Sequence, residues 1–451
     1  MKRINYIAYA LWSLSLLSCN TFLDVEPRQS ISDEATITNG TSAATAVRGM
    51  YRNLASGNYY GTTFQSIGYL SGDNIEWTGS QAIAGQFVNH EVRSDNASVA
   101  AVWAAIYSTI NQANHIIEKV AALPLEPSFS QETKDQYLGE AYFVRALCYF
   151  DLVRLWGGVP IYLQPTAAAT DNRGRPRSSV DETYAQVLSD LEQAEALLPE
   201  TTNRIRATRK TAWALKARYY LYRGNWEQAE VYASRIIADQ ANYQLLQPYG
   251  AFFQNNVVAT AESVFELSYS PTNTNGHRNN WQPPQNGGTR QWAPKSEFVA
   301  LVTDPEIGGN RNVLVASTAD GRWYGNLYYR SPATDPAYVI RMAELYLTRA
   351  EARARQGGAD KLAGAKDDLQ AVRSRAGLGP AGASTQDELL LAIENERRME
   401  FAFEPHRWFD LVRTGRAAAV LGLTDSRRYV LPIPSDQLRV DDALTQNEGY
   451  N

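Results

Sequence analysis

Apolar residues return at intervals of three and four over much of the chain, and those intervals predict helices. Ala100 to Leu123 puts Val102, Ile106, Ile110, Ala113, Ile117 and Val120 on one face, and Pro124 and Pro127 end the run. Ser130 or Gln131 then opens Lys134 to Trp156. In it Leu138, Ala141, Tyr142, Arg145, Tyr149, Leu152 and Trp156 keep the helical interval until Gly157, Gly158 and Pro160 stop it. The same alternation recurs in Asp181 to Leu198, Thr211 to Tyr222 and Glu227 to Ala238. It returns in Ile340 to Arg355 and Lys361 to Arg375, which are separated by Gly357 and Gly358. A shorter helix runs from a cap at Thr41 or Ser42 to about Ala55.

Small residues at Ala214, Ala217, Ala229 and Ala233 let two of these helices approach closely, and the Gly224-Asn225-Trp226 turn joins them. That unit resembles a tetratricopeptide repeat. The copies do not follow one another at a fixed period, so the pattern predicts a mainly α protein: a tetratricopeptide-like frame with large irregular inserts and a few short strands. Helical pairs are expected at about 100–156, 181–239 and 340–376. Inserts are expected at about 57–99 and 245–339, and C-terminal helices with a tail at 386–451. Residues Gly57 to Val99 show no sustained period. The longer insert holds the strand-like Glu262 to Ser270 and then turns rich in Asn, Gly and Pro. Tryptophans embedded in such sequence (Trp77, Trp281, Trp292, Trp323) have no helical face to bury them, which makes exposure as reasonable an expectation as burial.

One stretch near the C-terminus, Ile393 to Arg413, mixes apolar and paired charged stripes. Ile393, Arg397, Phe401 and Glu404 follow helical spacing, Glu396 and Glu400 lie one turn apart beside Arg397 and Arg398, and Pro405 breaks the run. Two carboxylates one turn apart raise the thought of glycoside hydrolysis. The interleaved arginines favour internal ion pairing instead, with Glu396, Arg397, Glu400 and Arg407 as structural partners. Arg145, Arg341 and Arg349 sit in apolar helices and would share such carboxylates, Glu344 and Glu351 among them. The word FDLVR at Phe409 to Arg413 also stands at Phe150 to Arg154, as though one unit were used twice, each copy closing an apolar helix.

Length, charge and the N-terminus narrow the class. With 451 residues the chain has room for about three domains or one large core. A net charge of -5 gives no overall drive toward nucleic acid. Lys2 and Arg3 precede an apolar run from Ile4 to Leu17 that ends in LLSC at Cys19, the form of a lipoprotein signal over residues 1–18. Residues 19–40 would then be a lipidated tether, with residues 41–451 as one domain held at a membrane by acyl chains on Cys19. Cys148, alone in an apolar helix, reads as a packed residue rather than a nucleophile. No HExxH, paired CxxC, G-x-S-x-G or P-loop is present, so neither a metal nor a cofactor is expected, although calcium on loop carboxylates stays open. Aromatic rings beside Asn, Asp, Gln and Arg suit sugar binding, in which the CH face of a pyranose packs on the ring while the polar groups bond its hydroxyls. A flat peptide segment would use the same surface. Trp77, Trp281, Trp292 and Trp323 are the stacking candidates, and Asp73, Asn74, Asn280 and Arg290 the polar ones.

Several words occur together and in order: Cys19 followed by NTFLDVEP, YFVRALCYFDLVRLWGGVPIY, KARYYLYRGNWEQA, YVIRMAELYLTRAEA, VRSRAGL, ERRMEFAFEPHRWFDLVR, and finally LPIPSDQL and QNEGY. In this order they resemble the SusD/RagB nutrient-binding outer-membrane lipoproteins of Bacteroidetes. The resemblance implies a helical repeat body displayed at the cell surface and anchored through lipid. It also implies capture of an oligosaccharide, or of a peptide, without catalysis, and partnership with a SusC-like TonB-dependent transporter. Glu448 stands where Pro is common in that family, and Pro405 where Gly is common. Ligand-binding residues vary across the family, so the resemblance assigns none of the site candidates. A lipoprotein glycosidase remains the other reading of the residues.

Overall fold

The computed structural model describes residues 37–166 and 171–450. Cys19, the leader and the tether up to residue 36 lie outside the described residues. The frame is built of helices α1 (Gly40–Leu54), α4 (Ala97–Ala122), α5 (Gln131–Trp156), α6 (Val180–Leu197), α7 (Arg209–Tyr222), α8 (Trp226–Ile237), α11 (Met342–Gln356), α12 (Ala359–Arg375) and α13 (Gln386–Glu400). Each packs on the next: α1 on α4, α4 on α5, α5 on α6, α6 on α7, α7 on α8, α8 on α11, and α11 on both α12 and α13.

Local chemistry sets the ends. Ser179 with Glu182, Thr208 with Thr211 and Thr385 with Glu388 form reciprocal capping boxes at the starts of α6, α7 and α13. Gly224 turns α7 into α8 at φ +68, a conformation that costs a residue with a Cβ. The expected cap of α1 shifts: Asn39 is the capping residue, and Ser42 completes the box from inside the first turn. Helix α4 starts at Ala97 because the Asn96 side chain accepts from the amides of Ser98 and Val99.

Three expectations need correction. Residues 57–99 are not irregular throughout, since they hold α2 (Thr63–Leu70), β1 (Ile75–Trp77) and α3 (Ala82–Val88). Every residue of α2 from Phe64 to Leu70 is buried, and a helix buried all round shows no amphipathic period to read. Helix α13 ends at Glu400, five residues before Pro405, so Phe401 and Glu404 belong to the turn leading into α14 (Arg407–Arg413). The second FDLVR therefore lies in a seven-residue helix rather than at the close of a long one. Ile340 belongs to a strand, β6 (Ala337–Arg341), which runs directly into α11.

That strand closes the long insert. β2 (Ser263–Leu267) pairs antiparallel with β6, and the Met342 amide donates to the Glu262 carbonyl at 2.9 Å. Two further antiparallel ladders join β1 to β3 (Trp292–Pro294) and β4 (Val315–Ser317) to β5 (Trp323–Gly325). Helices α9 (His277–Trp281) and α10 (Ser296–Thr303) complete the insert. Short α15 (Ala417–Leu421) and α16 (Ser435–Val440) follow the C-terminal stretch.

The charged residues of that stretch are buried and paired. Glu400 receives Arg311 at 2.9 Å, Arg341 at 3.0 Å and Arg375. Glu396 binds Arg311, and also Arg373 at 3.1 Å. Arg397 and Arg398 do not pair with the glutamates beside them. Arg397 reaches Asp410 at 2.8 Å, Arg398 reaches Asp73 at 3.2 Å, and Arg407 holds Asp73 at 2.7 Å. Arg145 and Arg349 take Asp190 and Asp368, while Glu344 and Glu351 take Arg218 and Arg413. The two FDLVR copies share one internal pair, Asp151 with Arg154 and Asp410 with Arg413, and they touch: the Arg154 guanidinium lies 4.2 Å from the centre of the Phe409 ring. Burial alone would raise the pKa of Glu400, but the three arginines hold it down at about 2. Burial pulls His277 down to about 4, with its Nε2 donating to the Tyr60 carbonyl at 3.1 Å.

Removing one partner of such a pair strands the other, so Arg397→Ala should cost about 3–5 kcal/mol in urea unfolding while leaving ligand affinity unchanged. Normal stability with lost binding would contradict this. The pH dependence has a defined sign. An unfolded histidine takes up its proton from about pH 6.5 downward and folded His277 only near 4, so its contribution is lost as pH falls through that window. Glu400, depressed from 4.5 to about 2, contributes above pH 4.5 and loses that contribution toward 2. Asp335, pushed up to about 6 by burial, has the opposite slope, so each group is read as a variant against its parent. The stability of His277→Gln relative to the parent should rise as pH falls from about 6.5 to 4, and the deficit of Glu400→Gln should shrink below about 4.5. Differences independent of pH would refute both.

Candidate functional site

Strand pairing gathers part of the predicted set. In the β1–β3 ladder Trp77 faces Trp292 and Glu76 faces Ala293, and in the β4–β5 ladder Ser317 faces Trp323. β5 packs on β3. Beyond β1 the Thr78 amide donates to the Gln291 carbonyl at 2.9 Å, and the Thr78 hydroxyl to the Arg290 carbonyl. Arg290 Nε in turn donates to the Trp323 carbonyl at 2.7 Å. Trp77, Arg290 and Trp323 therefore meet on one surface, each half-buried.

The backbone there is shaped for this. Arg290 has φ +46, a left-handed conformation unusual for a residue with a side chain. A Cβ at Gly79 would overlap the Trp77 ring, so a residue without a side chain is what lets the indole lie where it does. Burial lowers the Arg290 pKa, and Glu76 opposes that shift. Arg290 keeps its charge, and its two Nη groups have no hydrogen-bond partner among the described residues. Two indoles flanking a free guanidinium fork can stack on a ring and bond its substituents.

The other candidates are placed elsewhere, which corrects the loop-based expectation. Trp281 is fully buried, with ring centres at 5.2 Å from Tyr69, 5.5 Å from Trp292 and 4.7 Å from Phe403. Trp292 is buried against the same Tyr69 and against His277. Their partners come from α2 and from the turn after α13, far away in sequence, and Gly325 leaves room for the Trp281 ring. Asn74 is buried and bound to Arg398 through both ends of its amide. Asp73 is committed to Arg407 and Arg398, which outweigh burial and hold its carboxyl below the usual range. Asn280 is half-buried and donates to the Gly276 carbonyl at 3.0 Å. Trp77, Arg290 and Trp323 are open to a surface ligand, whereas Trp281, Trp292 and Asn74 are buried. Glu76 and Gly79 belong to the site and were not singled out from the sequence, although their place beside Trp77 was the available signal. Glu396 and Glu400, the carboxylates considered for hydrolysis, are 3% and 1% exposed and held by arginines, out of reach of a substrate.

Comparison with known proteins agrees with this architecture. Residues 21–221 match a family described as starch-binding and associating with the outer membrane, and residues 321–425 match the SusD family. A SusD-like protein of Formosa agariphila is 27% identical over 100% of this chain and 99% of its own length. The starch-binding protein SusD of Bacteroides thetaiotaomicron is 24% identical over 69% of this chain and 72% of its own. Among solved structures, a SusD superfamily protein of Bacteroides vulgatus shares the fold at TM-score 0.80 and 24% identity, covering 92% of this chain and 100% of that one. A laminarin-binding SusD-like protein does so at TM-score 0.78 and 23% identity, with the same coverage. With one match over the N-terminal helices, another over the end of the insert and the C-terminal stretch, and a relative aligned from end to end, the chain belongs to the SusD/RagB family.

Proposed function

We propose that this protein is a non-catalytic binder that captures an oligosaccharide at the cell surface and delivers it to a TonB-dependent outer-membrane transporter. The observation that carries the reading is the pairing of half-buried Trp77 and Trp323 around Arg290, whose guanidinium is fastened at Nε and free at both Nη groups. Indole faces take the CH side of a sugar ring, and the fork takes its oxygens. Relatives described as starch-binding and laminarin-binding support a glycan as the ligand class. Lipid on Cys19 would keep the binder at the outer membrane, in keeping with the matched family's description, and a SusC-like barrel would receive the ligand. No helix among the described residues is long and apolar enough to cross a membrane.

Calorimetric titration with laminari- and malto-oligosaccharides tests the site. Trp77→Ala and Trp323→Ala should each weaken binding of the preferred glycan by about 1 kcal/mol or more. Gly79→Ala should weaken it too, by displacing the Trp77 ring. Trp281→Ala should instead cost about 3–5 kcal/mol of stability, as expected for an emptied core position. Unchanged affinity in both surface tryptophan variants would overturn the assignment, and tight binding of peptides in place of glycans would overturn the ligand class. Cys19→Ala should move the protein from the membrane fraction to the soluble one; retention in the membrane would exclude lipid anchoring through Cys19.

A further inference from the structure

A second cavity, of about 310 Å³, opens between α4, the segment after α5 and the C-terminal tail. It shares no residue with the Trp77 surface. Its walls differ in kind from those of three other hollows. The one between α11, α13 and α14, of about 350 Å³, sets Glu351, Glu394 and Asp410 against Arg355, Arg397 and Arg416, and charged side chains also line the shallow ones near Trp226 and Tyr450. The second cavity has no charged residue in its lining, in a chain where 20% of residues are charged. Charges close behind the lining are occupied: Arg145 donates to Asn114 Oδ1 at 2.8 Å and pairs with Asp190, and Arg177 donates to the Gly158 carbonyl and to Asn447 Oδ1, both at 2.7 Å. Arg175, beside the Tyr162 ring, donates to the Ile161 carbonyl, and Asp441 accepts from the Gly174 amide.

Three rings form one wall, with Trp103 to Tyr107 at 4.9 Å and Tyr107 to Tyr162 at 5.5 Å between centres. They are braced from behind. Trp103 meets Trp156 edge-on at 5.1 Å, and the Tyr107 hydroxyl donates to the Pro160 carbonyl at 2.8 Å. Four amides and the Thr166 hydroxyl form the rest of the polar lining, and one amide, Asn114, is committed through its Nδ2 to the Tyr162 carbonyl at 3.0 Å and the Gln164 carbonyl at 3.1 Å. Asn111 accepts from the Thr166 amide at 2.7 Å through Oδ1, and its Nδ2 has no partner among the described residues. Asn172 donates to the Thr166 hydroxyl, and neither its Oδ1 nor either end of the Gln437 side chain has a hydrogen-bond partner among the described residues. Amide groups donate and accept, as sugar hydroxyls do, and a neutral wall excludes the desolvation cost that a charged ligand would meet. The volume lies at the small end of the range for ligand pockets, which suits one or two rings rather than a long chain. The ring wall, braced by Trp156 and the Pro160 carbonyl, spares part of the ordering cost of binding.

We propose that this cavity is a second saccharide site, separate from the Trp77 surface, that takes one or two neutral pyranose units. The test is saturation-transfer NMR on the detergent-solubilised full chain with the methyl glycosides of glucose, galactose, mannose and xylose, and with glucuronic acid as the charged counterpart. Ala104 lines the cavity and is exposed, so Ala104→Trp fills the opening from outside the core. At least one methyl glycoside should show transfer. Its affinity should fall at least tenfold in Ala104→Trp and about threefold or more in Gln437→Ala, stay unchanged in Trp77→Ala and Trp323→Ala, and exceed that of glucuronic acid at least tenfold. Should Ala104→Trp melt below the parent, Gln437→Ala and Asn172→Ala, at half-buried positions, give the same reading. No transfer from any methyl glycoside, transfer unaffected by these cavity variants, or equal binding of glucuronic acid would overturn the proposal. Loss of transfer only in the Trp77 and Trp323 variants would place all saccharide binding at the first surface and remove the second site.

Discussion

Glu400 is held at once by three arginines from three separate parts of the chain. Arg311 comes from a short turn inside the long insert, Arg341 from the end of β6 and Arg375 from the end of α12. A carboxylate and three guanidinium groups taken from water carry a desolvation cost of several kcal/mol each, and only good geometry with every lone pair occupied offsets it. That demand makes the cluster selective. Glu262 and Glu404 complete the bonds of Arg341, and the Tyr249 hydroxyl donates to the Glu400 carbonyl at 3.0 Å. Frame, insert and C-terminal stretch meet where these charges pair, with Arg311 Nη1 and Arg375 Nε left without a hydrogen-bond partner among the described residues, and a shifted register would leave a whole charge buried without a partner.

The proposed binding surface depends on the same stretch. Arg407 and Arg398 fix Asp73, and Arg398 fixes Asn74, at the foot of the strand that carries Trp77. Residues that resembled ligand contacts in the sequence are thus struts for the one beside them. This separates two uses of polar residues in the molecule. Charged pairs are spent inward on placement, while the outward face keeps two indoles and a guanidinium whose Nη groups have no hydrogen-bond partner among the described residues.

The frame was legible in the sequence because its signals are local. Helical intervals, Ser and Thr caps, and glycines after α5, α7 and α11 all act within a few residues, and the expected helices differ from the observed ones by at most three positions at either end. The helix at Phe64 to Leu70 escaped because it is buried on every side and has no polar face to set a rhythm. The fate of each tryptophan was not legible for a related reason. Trp77 and Trp281 stand in similar polar, glycine-bearing sequence, yet Tyr69 and Phe403 close over Trp281 and no equivalent pair covers Trp77. Exposure was decided by partners hundreds of residues apart in the chain. The ion pairing of Glu396 and Glu400 could be anticipated in kind but not in detail, since their partners Arg311, Arg341 and Arg375 lie on other elements while the neighbouring Arg397 and Arg398 turn away.

The β2–β6 ladder has a consequence for how such a protein diversifies. The chain leaves the frame at β2 and returns beside its own point of departure, bonded there through Met342 and Glu262. What lies between divides in two: Arg311 and Trp281 tie the insert into the core and must stay, whereas the half-buried positions around Arg290 and Trp323 can change while the entry and exit points, and so the stacking of the helices, stay put. A lineage that meets a new nutrient can rewrite Arg290 and Trp323 without refolding the body that carries them.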